Sequence, residues 1–476
     1  MALSGLIEWD VASTGADTNG GGFKTGASGV DHSQQDAAQW ALTTATSAGA
    51  GNTLLDASAH ADMVGNLAWT VSGTNLTASS FFEVTSVSAG VSITFSTNNA
   101  GTAIATGIVA NGTLNIGGRL ATLGAAMVAS GARAGNTVWV KGSLAALTAT
   151  ITLTNSGDST DGAINVTGYT TSHGDGGHFT LTSATNSVAL VTLASADRHH
   201  WKGFNFTHTA ATRGNGFVTS VGASVSWVIE DFSIDGCLNG ISFASTFALT
   251  GQIFNGEVEN CTVRGLSLLP GGTGIAVRNV YTHDNTSDGM AIDFGQSGFA
   301  TVERCTFDTN GGQGLEIPSA ATSWSLVVDG CNFYNNTSDG LLMTRNASAV
   351  PTVRITNNIF CLNGGYGINS SAAGWLNYIE DYNAFGSGGG VANASGARQN
   401  ITAGDNDVTV TALPWTDAAN GDFSLNATAG GGPVVKAAGT PGTLPGMTGT
   451  GYADMGVLQH QDSGGSGGGG QRVIGS

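Results

Sequence analysis

The pentapeptide NTSDG occurs twice in this chain, at residues 285–289 and 336–340, and an apolar residue follows each copy. The final glycines of the two copies lie 51 positions apart. A glycine followed by an apolar-x-apolar triplet also recurs around and between them, with spacings of 25, 24, 25, 26 and 27 residues, at Gly240, Gly265, Gly289, Gly314, Gly340 and, with a weaker triplet, Gly367. The two copies therefore belong to a repeat with a period near 25 residues.

A fixed period of this length, holding short alternating strands and an Asn/Asp/Gly turn, is typical of a solenoid. The period is too short for a propeller blade, and a helical repeat would not place glycine at this position. The sequence predicts an all-β fold, a single-stranded parallel β-helix with about 25 residues per coil. NTSDG is then the same turn two coils apart, because Asn and Asp tolerate a left-handed backbone and glycine lets the turn tighten.

A second column of residues starts nearer the beginning of each coil and repeats an apolar-rich hexapeptide, as in VENCTV (258–263) and VERCTF (302–307). The fourth residues of these hexapeptides are expected to stack in the interior; they are Phe232, Cys261, Val280, Cys305, Cys331 and Asn358. This alignment predicts one inward ladder containing Cys261, Cys305 and Cys331. All five cysteines are expected to be free, buried thiols of a protein made in a reducing cytoplasm.

Composition excludes several classes of function. The 476 residues include 74 glycines and only 10% charged residues, which suits short strands and tight turns better than helical bundles. A net charge of −18 with 15 Lys and Arg argues against nucleic-acid binding, which needs a basic face. No run of 18 apolar residues predicts membrane insertion, and the start MALSGLIEWDVAST shows no signal-peptide pattern.

Changes along the chain predict four parts. Residues 1–115 form an N-terminal β-rich region, for attachment or oligomerisation, that includes a short helix at Ser33–Asp36. Residues 116–385 form the β-helix, with GGRLATLGAAMVAS (117–130) as its capping helix and NTVWVKGS (136–143) as a first strand. Residues 386–460 form a closing segment, and residues 461–476 a flexible Gly/Ser-rich tail that ends either without a structural role or as a docking peptide.

Both ends of the chain resemble a known group of proteins. The opening IEWDVASTGADTNGGGFKTGASGVDHSQQDAAQWAL and the ending DFSL…GYADMGVLQHQDSGG are similar to β-helical structural proteins of tailed bacteriophages. The coils at 229–370 resemble the right-handed parallel β-helix repeat shared by pectate lyases and phage tailspikes. The resemblance implies a right-handed β-helix in a virion, as a tailspike, head fibre or capsid decoration. It also implies a homotrimer that contacts other virion proteins and, in host attachment, bacterial surface polysaccharide.

Parallel β-helices often cleave polysaccharides, so acidic residues on the repeat are candidates for catalysis. Asp288 and Asp339 precede repeat glycines, and with about 4.8 Å between coils they would lie about 10 Å apart, with Gln313 between them. Inverting glycosidases separate their carboxyl groups by roughly 6.5–9.5 Å, and retaining enzymes by less. The alternative is that both are turn formers, as the identical pentapeptides suggest. Other acids near this column are Asp293, Glu316, Asp284 and Asp308.

Aromatic and histidine residues supply weaker candidates. Trp201, Trp324 and Trp375 could stack on sugar rings, although core packing is the commoner fate of tryptophan. HGDGGH (173–178) could hold a metal through His173, Asp175 and His178, but we favour a glycine-rich surface turn, and we predict no metal and no cofactor.

Three functions remain open from the sequence. The first is a structural virion protein with binding surfaces and no chemistry, which the phage-like ends and the sparse acids favour. The second is a depolymerising tailspike, a glycoside hydrolase or lyase acting on capsule or lipopolysaccharide. The third is a glycan-binding adhesin without catalysis. A dense cluster of acids would favour the enzyme, and the coils at 229–370 contain none in sequence.

Overall fold

The structure is a computed structural model. It describes residues 3, 6–194, 197–219, 226–243, 250–270, 274–295, 297–319, 323–345, 351–371, 377–388, 390–442 and 451–458. The predicted tail at 461–476 and Trp375 lie outside these residues. The fold is all-β, a right-handed parallel β-helix with about 26 residues per turn, which confirms the predicted fold class.

The chain divides into two compact units. The first comprises Met1–Phe206 with Ser226–Val228, and the second Thr207–Val225 with Ile229–Ser476. The predicted four-part division of the chain remains a prediction.

The first unit contains an antiparallel sheet and the parallel strands of early coils. Its strands are β1 (Ile7–Ala12), β2 (Gly22–Lys24), β3 (Trp40–Ala45), β4 (Thr53–Leu55), β5 (Leu67–Leu76), β6 (Phe81–Ser88), β7 (Ser92–Phe95), β8 (Ala105–Ile116), β9 (Thr137–Lys141), β10 (Ile151–Leu153), β11 (Ile164–Tyr169), β12 (Phe179–Ser183), β13 (Val191–Leu193) and the start of β14 (His199–His208). Six of them form an antiparallel sheet in the order β3-β8-β5-β6-β7-β4. Strand β1 pairs in parallel with β9, β9 with β11, and β11 with β14.

The second unit is built from coils whose strands pair with the next coil. Its strands are β15 (Phe217–Thr219), most of β16 (Ser226–Asp235), β17 (Ile241–Phe243), β18 (Thr250–Glu259), β19 (Leu266–Leu268), β20 (Gly274–His283), β21 (Met290–Ile292), β22 (Phe299–Glu303), β23 (Thr306–Asp308), β24 (Leu315–Ser319), β25 (Ser325–Asp329), β26 (Asn332–Tyr334), β27 (Leu341–Arg345), β28 (Thr352–Thr356), β29 (Ile359–Cys361), β30 (Tyr366–Ser370), β31 (Asn377–Asp381), β32 (Ala384–Gly386), β33 (Gly396–Gln399), β34 (Val408–Val410), β35 (Trp415–Asp417), β36 (Asp422–Leu425), β37 (Pro441–Gly442) and β38 (Gly451–Tyr452). The triplets after the repeat glycines form one parallel sheet in the order β15-β17-β19-β21-β24-β27-β30-β33.

Two columns of left-handed residues bend each coil. The first bend passes through Asp231, Asn255, Asn279, Arg304, Gly330, Asn357 and Tyr382, all with φ between 51° and 64°. The second passes through Asn260, Asp284, Thr309, Asn335 and Leu362, with φ between 50° and 60°. Asn, Asp and Gly predominate because they enter this conformation at the lowest steric cost.

The interior of the second unit is filled by ladders of identical side chains. Buried asparagines donate Nδ2–H to the Oδ1 of the next coil at 2.8–2.9 Å, in the order Asn285, Asn310, Asn336, Asn363 and Asn393. Beside them four phenylalanine rings stack with centroids 4.6–5.1 Å apart: Phe307, Phe333, Phe360 and Phe385. The first residue of each NTSDG copy is thus a member of the asparagine ladder.

The glycine that ends NTSDG is required by close packing. A Cβ atom at Gly289 would lie 2.5 Å from Thr282 Oγ1 and 2.8 Å from Asn310 Nδ2. Any side chain there would push the asparagine ladder apart.

The predicted cysteine ladder is partly wrong. All five cysteines are free and buried, as expected. Cys305 and Cys331 do stack, with Cys305 N–H donating to Cys331 Sγ at 3.4 Å. Cys261, however, lies in the asparagine column, where its N–H donates to Asn285 Oδ1 at 3.0 Å. The residue opposite Val280 in the previous coil is Gly256.

Helix is scarcer than the sequence predicts. The predicted cap at 117–130 contains a single helical turn, α1 (Leu123–Ala126), whose N-cap Thr122 accepts from Ala125 N–H. Residues 33–37 form turns and bends, so the helix predicted at Ser33–Asp36 is wrong. The remaining helices are α2 (Gly432–Val435) and the 3₁₀ turns Ala61–Met63 and Ala418–Asn420. No helix within the described residues has the length and apolarity needed to span a membrane.

Candidate functional site

Asp288 is buried and bonded to the coils on both sides of its own. Its Oδ1 accepts from the backbone N–H of Gln313 at 3.0 Å, and its Oδ2 accepts from Arg264 Nε at 2.8 Å. Only 4% of the side chain is exposed. The carboxylate therefore fastens the turn to the following coil while neutralising a cation of the preceding coil.

Asp339 occupies the equivalent place two coils further on. Its Oδ1 accepts from the N–H of Tyr366 at 2.6 Å and its Oδ2 from Asn369 Nδ2 at 2.8 Å. Both carboxylate oxygens of Asp339 are thus engaged by the next coil, whereas at Asp288 only Oδ1 is. This geometry is what the turn-former interpretation predicts, and the structure does not bring Asp288 and Asp339 together around a shared opening.

A charged cluster nevertheless surrounds Asp288. The Arg264 guanidinium reaches Asp288 through Nε and Glu316 Oε2 through Nη2, both at 2.8 Å. Burial and the nearby Asp288 carboxylate raise the pKa of Glu316, while Arg264 opposes the shift. Burial also raises the pKa of Asp293. Arg264 links Asp288 to Glu316, which the sequence did not predict.

Glu316 lies on the outer side of β24, and Asp293 directly follows the end of β21 in the preceding coil. Glu316 pairs in register with Ala291, two residues before Asp293. A strand rise of about 3.3 Å and a coil spacing of about 4.8 Å put their Cα atoms roughly 8 Å apart. Two carboxyl groups with raised pKa values on neighbouring coils are an arrangement that can support acid–base chemistry.

The other two acids near the repeat belong to a separate cluster at the second bend. Asp308 accepts from the Tyr281 hydroxyl at 2.8 Å, and Asp284 lies 2.8 Å from His283 Nδ1. The other ring nitrogen of His283 lies 3.1 Å from Glu257 Oε1. Burial alone would lower the pKa of His283, but its two acidic partners outweigh burial and raise it to about 9.

The tryptophan candidates are corrected by the structure. Trp201 is fully buried, against Phe179, Phe204 and Phe206, and Trp324 is 2% exposed, with its ring stacked 5.1 Å from Phe294. Neither presents a face on which a sugar could stack, because each lies in a layer of apolar rings. Trp375 is outside the described residues.

The HGDGGH segment is a turn held by Asp175. The Asp175 carboxylate accepts from the backbone N–H groups of residues 170, 171, 172 and 177, which holds its pKa far below the ordinary value. His178 Nδ1 faces Asn205 Oδ1 at 3.0 Å, and His173 points elsewhere. In the described part of the chain, no three His, Cys, Asp or Glu side chains are placed to hold a metal ion together.

His173 instead joins a cluster that the sequence did not predict. The fully buried Asp10 accepts from the Tyr169 hydroxyl at 2.7 Å and lies 2.9 Å from His173 Nε2. Burial alone would lower the pKa of His173, but Asp10 and Glu8 raise it to about 9. These groups lie some 160 residues apart in the sequence, with no local pattern to link them. Trp139 covers the ring of His173 in a stack at 4.5 Å.

Comparison with known proteins supports the architecture. A model of the right-handed beta helix region matches residues 217–385. Among solved structures, pectate lyase Pel9A is 15% identical over 72% of this chain and 92% of that chain, with a TM-score of 0.48. The A-module of the mannuronan C-5 epimerase AlgE4 from Azotobacter vinelandii is 14% identical over 55% of this chain and 70% of that chain, with a TM-score of 0.39.

A third structure, the catalytic unit of a thermostable GH87 α-1,3-glucanase from Streptomyces thermodiastaticus, is 12% identical over 80% of this chain and 87% of that chain, with a TM-score of 0.28. These similarities concern the fold alone. None of the curated proteins matches the sequence significantly.

Proposed function

We propose that this protein is a structural component of a bacteriophage virion, a β-helical spike, fibre or capsid decoration that assembles as a homotrimer. The resemblance of both chain ends to such proteins supports the virion location. Within the proposal, the rigid coils act as a scaffold that presents surfaces to neighbouring virion proteins.

The observation that carries the proposal is that the acidic residues of the repeat hold neighbouring coils together. Asp288 and Asp339 each bind the backbone of the next coil, and the asparagine ladder continues that bonding through the interior. Buried amide ladders of this kind are costly to disrupt, because each unpaired group would lose its hydrogen bond without gaining water. A stack of coils joined by such hydrogen bonds is suited to a scaffold.

Particle composition tests the virion assignment. Particles of the phage that encodes this chain would be purified by density gradient and analysed by quantitative mass spectrometry, beside the unassembled protein pool. We expect the chain in the particle fraction at a copy number divisible by three, and the recombinant chain at three times its monomer mass by light scattering. Absence from purified particles would refute the virion role, and a monomer would refute the trimer.

A second candidate function is cleavage of a bacterial polysaccharide, and the Arg264 cluster is the observation that favours it. In this candidate Glu316, whose pKa is raised by burial and by Asp288, is the general acid that donates a proton to the glycosidic oxygen, and Asp293 is the base that activates water on the opposite face of the sugar. The roughly 8 Å between their Cα atoms is compatible with the separation of roughly 6.5–9.5 Å that an inverting pair requires between its carboxyl groups. Arg264 would then position Glu316.

Product release distinguishes the two candidates. The purified chain would be incubated with capsular and lipopolysaccharide preparations and new reducing ends measured, with Glu316→Gln and Asp293→Asn as test variants. Asp339→Asn is the matched control, since it alters a carboxylate of the same repeat that binds only its own neighbours. Release abolished by the two test variants but kept by the control would establish the enzyme. Absence of release from folded protein would rule it out for those polysaccharides.

A further inference from the structure

A groove lined by both polar and apolar groups crosses the outside of four successive coils at the first bend. It has a volume of about 510 Å³ and is lined by residues from β18, β20 and the strands that follow, among them Phe254, Ala276, Arg278, Glu303, Arg304 and Asp329. At about 4.8 Å per coil it extends roughly 14 Å from the first coil to the fourth. This groove is separate from the Arg264 cluster, whose residues do not line it.

The two acids of the groove are already engaged. Glu303 Oε2 accepts from Arg278 Nε at 2.7 Å. Asp329 Oδ1 accepts from Thr356 Oγ1 at 2.5 Å and from Asn357 Nδ2 at 2.7 Å. Glu303 is therefore neutralised by an ion pair, whereas the two donors to Asp329 are uncharged.

Arg304 differs from both acids. Its backbone N–H donates to the carbonyl of Asp329, but its guanidinium makes no hydrogen bond or ion pair with any residue that the structure describes. A half-buried guanidinium in a groove, with five N–H donors in a planar fork, suits a carboxylate or a similar planar anion.

The backbone at Arg304 is a second, independent observation. Arg304 has φ of 52° in a bend where most other coils place Asn, Asp or Gly. For the backbone conformation alone, arginine has no advantage over asparagine at this position, because asparagine adopts the left-handed conformation more readily. Backbone strain of this kind collects at functional sites.

The other residues that line the groove offer an aromatic ring and amide groups to a carbohydrate. Phe254 is partly exposed and pairs in register with Arg278, so an aromatic surface lies beside the cations. Ala276, two residues before Arg278 and on the same face, pairs with the larger Gln252 and Thr301 of the neighbouring coils. Asn255 and Asn279 lie along the same edge, and the Asn279 amide donates to Asn255 Oδ1 at 2.8 Å.

We propose that this groove binds a short acidic oligosaccharide, with a sugar carboxylate on the Arg304 guanidinium and a neighbouring sugar ring against Phe254. The glycan would lie across the coils, so that successive sugars meet successive strands. The groove needs no catalytic group, and the inference does not depend on whether the protein belongs to a virion.

Binding measurements with defined probes test the proposal. The full chain would be titrated by calorimetry with oligogalacturonate, hyaluronan oligosaccharide and oligomeric sialic acid, and with neutral maltohexaose for comparison. We expect at least one acidic probe to bind more tightly than maltohexaose. Failure of all three acidic probes to bind, or equal affinity for maltohexaose, would overturn the proposal.

Arg304→Gln is the decisive variant, because glutamine keeps a polar side chain of similar reach and removes the charge. Its affinity for the bound probe should fall by at least about tenfold, the loss of one charge-assisted pair. Arg354→Gln is the matched control, since Arg354 is exposed on the same sheet and does not line the groove. Unchanged affinity in Arg304→Gln, or an equal loss in Arg354→Gln, would refute the assignment. Circular dichroism of both variants confirms that the coils are intact.

Discussion

Replacing Asn336 with alanine should weaken the second unit more than any exposed substitution, because this amide joins three coils. Asn336 Oδ1 accepts from the backbone N–H and the side-chain Nδ2 of Asn310, at 3.2 and 2.9 Å. Asn336 Nδ2 donates to Phe307 O at 3.0 Å and to Asn363 Oδ1 at 2.9 Å. Alanine would leave four buried partners without this amide, and the small side chain would also leave a void.

The expected magnitude follows from these four contacts. A net contribution of about 1 kcal/mol per hydrogen bond gives a loss of about 4 kcal/mol, and stranded buried groups add to it. A loss of 4 kcal/mol corresponds to about a thousandfold increase in the population of the locally open coil, at 1.4 kcal/mol per factor of ten. Backbone amides bonded between these coils should therefore exchange with solvent about a thousand times faster.

Hydrogen exchange followed by mass spectrometry measures this directly, on peptides that cover residues 306–315 and 332–341. Asn335→Gly is the matched control, because Asn335 is the preceding residue, has φ of 54° and makes an exposed hydrogen bond to Thr309 Oγ1 at 3.1 Å. Glycine accepts that backbone conformation, so the control should change exchange by less than about tenfold. If Asn336→Ala exchanges no faster than Asn335→Gly, the ladder does not stabilise the coils as argued.

Three further predictions concern other parts of the chain. Asp339→Ala should destabilise the second unit by about 1–3 kcal/mol in a denaturant titration, because the N–H of Tyr366 loses its acceptor, and no change would contradict its role as a turn former. Phe333→Ala should cost about 3–5 kcal/mol in the same titration, and Phe299→Ala, at a ring that is 45% exposed, much less; equal losses would contradict the importance of the ring stack. His173 has a folded-state pKa raised to about 9, above its unfolded value near 6.5, so its stabilising effect is complete below pH 6.5 and is lost as the pH rises through 9. The difference in melting temperature between wild type and His173→Gln should therefore shrink from pH 6 to pH 10, and a difference that stays constant would show that His173 acts through packing alone.

The period and the turns could be predicted because every coil must stack on its neighbours, which requires similar residues at the same positions of each coil. The register of Cys261 could not, since a left-handed residue followed by a cysteine occurs at both bends. Asn260 precedes Cys261 at the second bend, whereas Arg304 precedes Cys305 at the first, and both have φ of 52°. The hexapeptides VENCTV and VERCTF therefore look equivalent in sequence although they occupy different corners of the coil.

The charged clusters were harder to predict for a different reason. Asp10 meets Tyr169 and His173 only through pairing of strands that are distant in the chain, with β9 between β1 and β11. Arg264 reaches Glu316 across an intervening coil, where the small side chain of Ala291 occupies the paired position. Sequence spacing fixes which residues share a column, but long side chains cross columns, and their direction depends on the size of their neighbours.

A residue that differs from the others at its position in the repeat is more informative about ligand binding than a charged residue that follows the repeat. Asp288 and Asp339 occupy the same position in the repeat, and each accepts a hydrogen bond from a backbone N–H of the next coil. Folding alone therefore accounts for both residues. Arg304 differs from the residue types that predominate at its bend, because it adopts the left-handed conformation without the short side chain that favours this conformation. In a chain with 15 Lys and Arg against 33 Asp and Glu, a guanidinium without an acidic partner among the described residues is also electrostatically unexpected. The repeated NTSDG turns therefore indicate architecture, whereas residue 304 is where we propose a binding site.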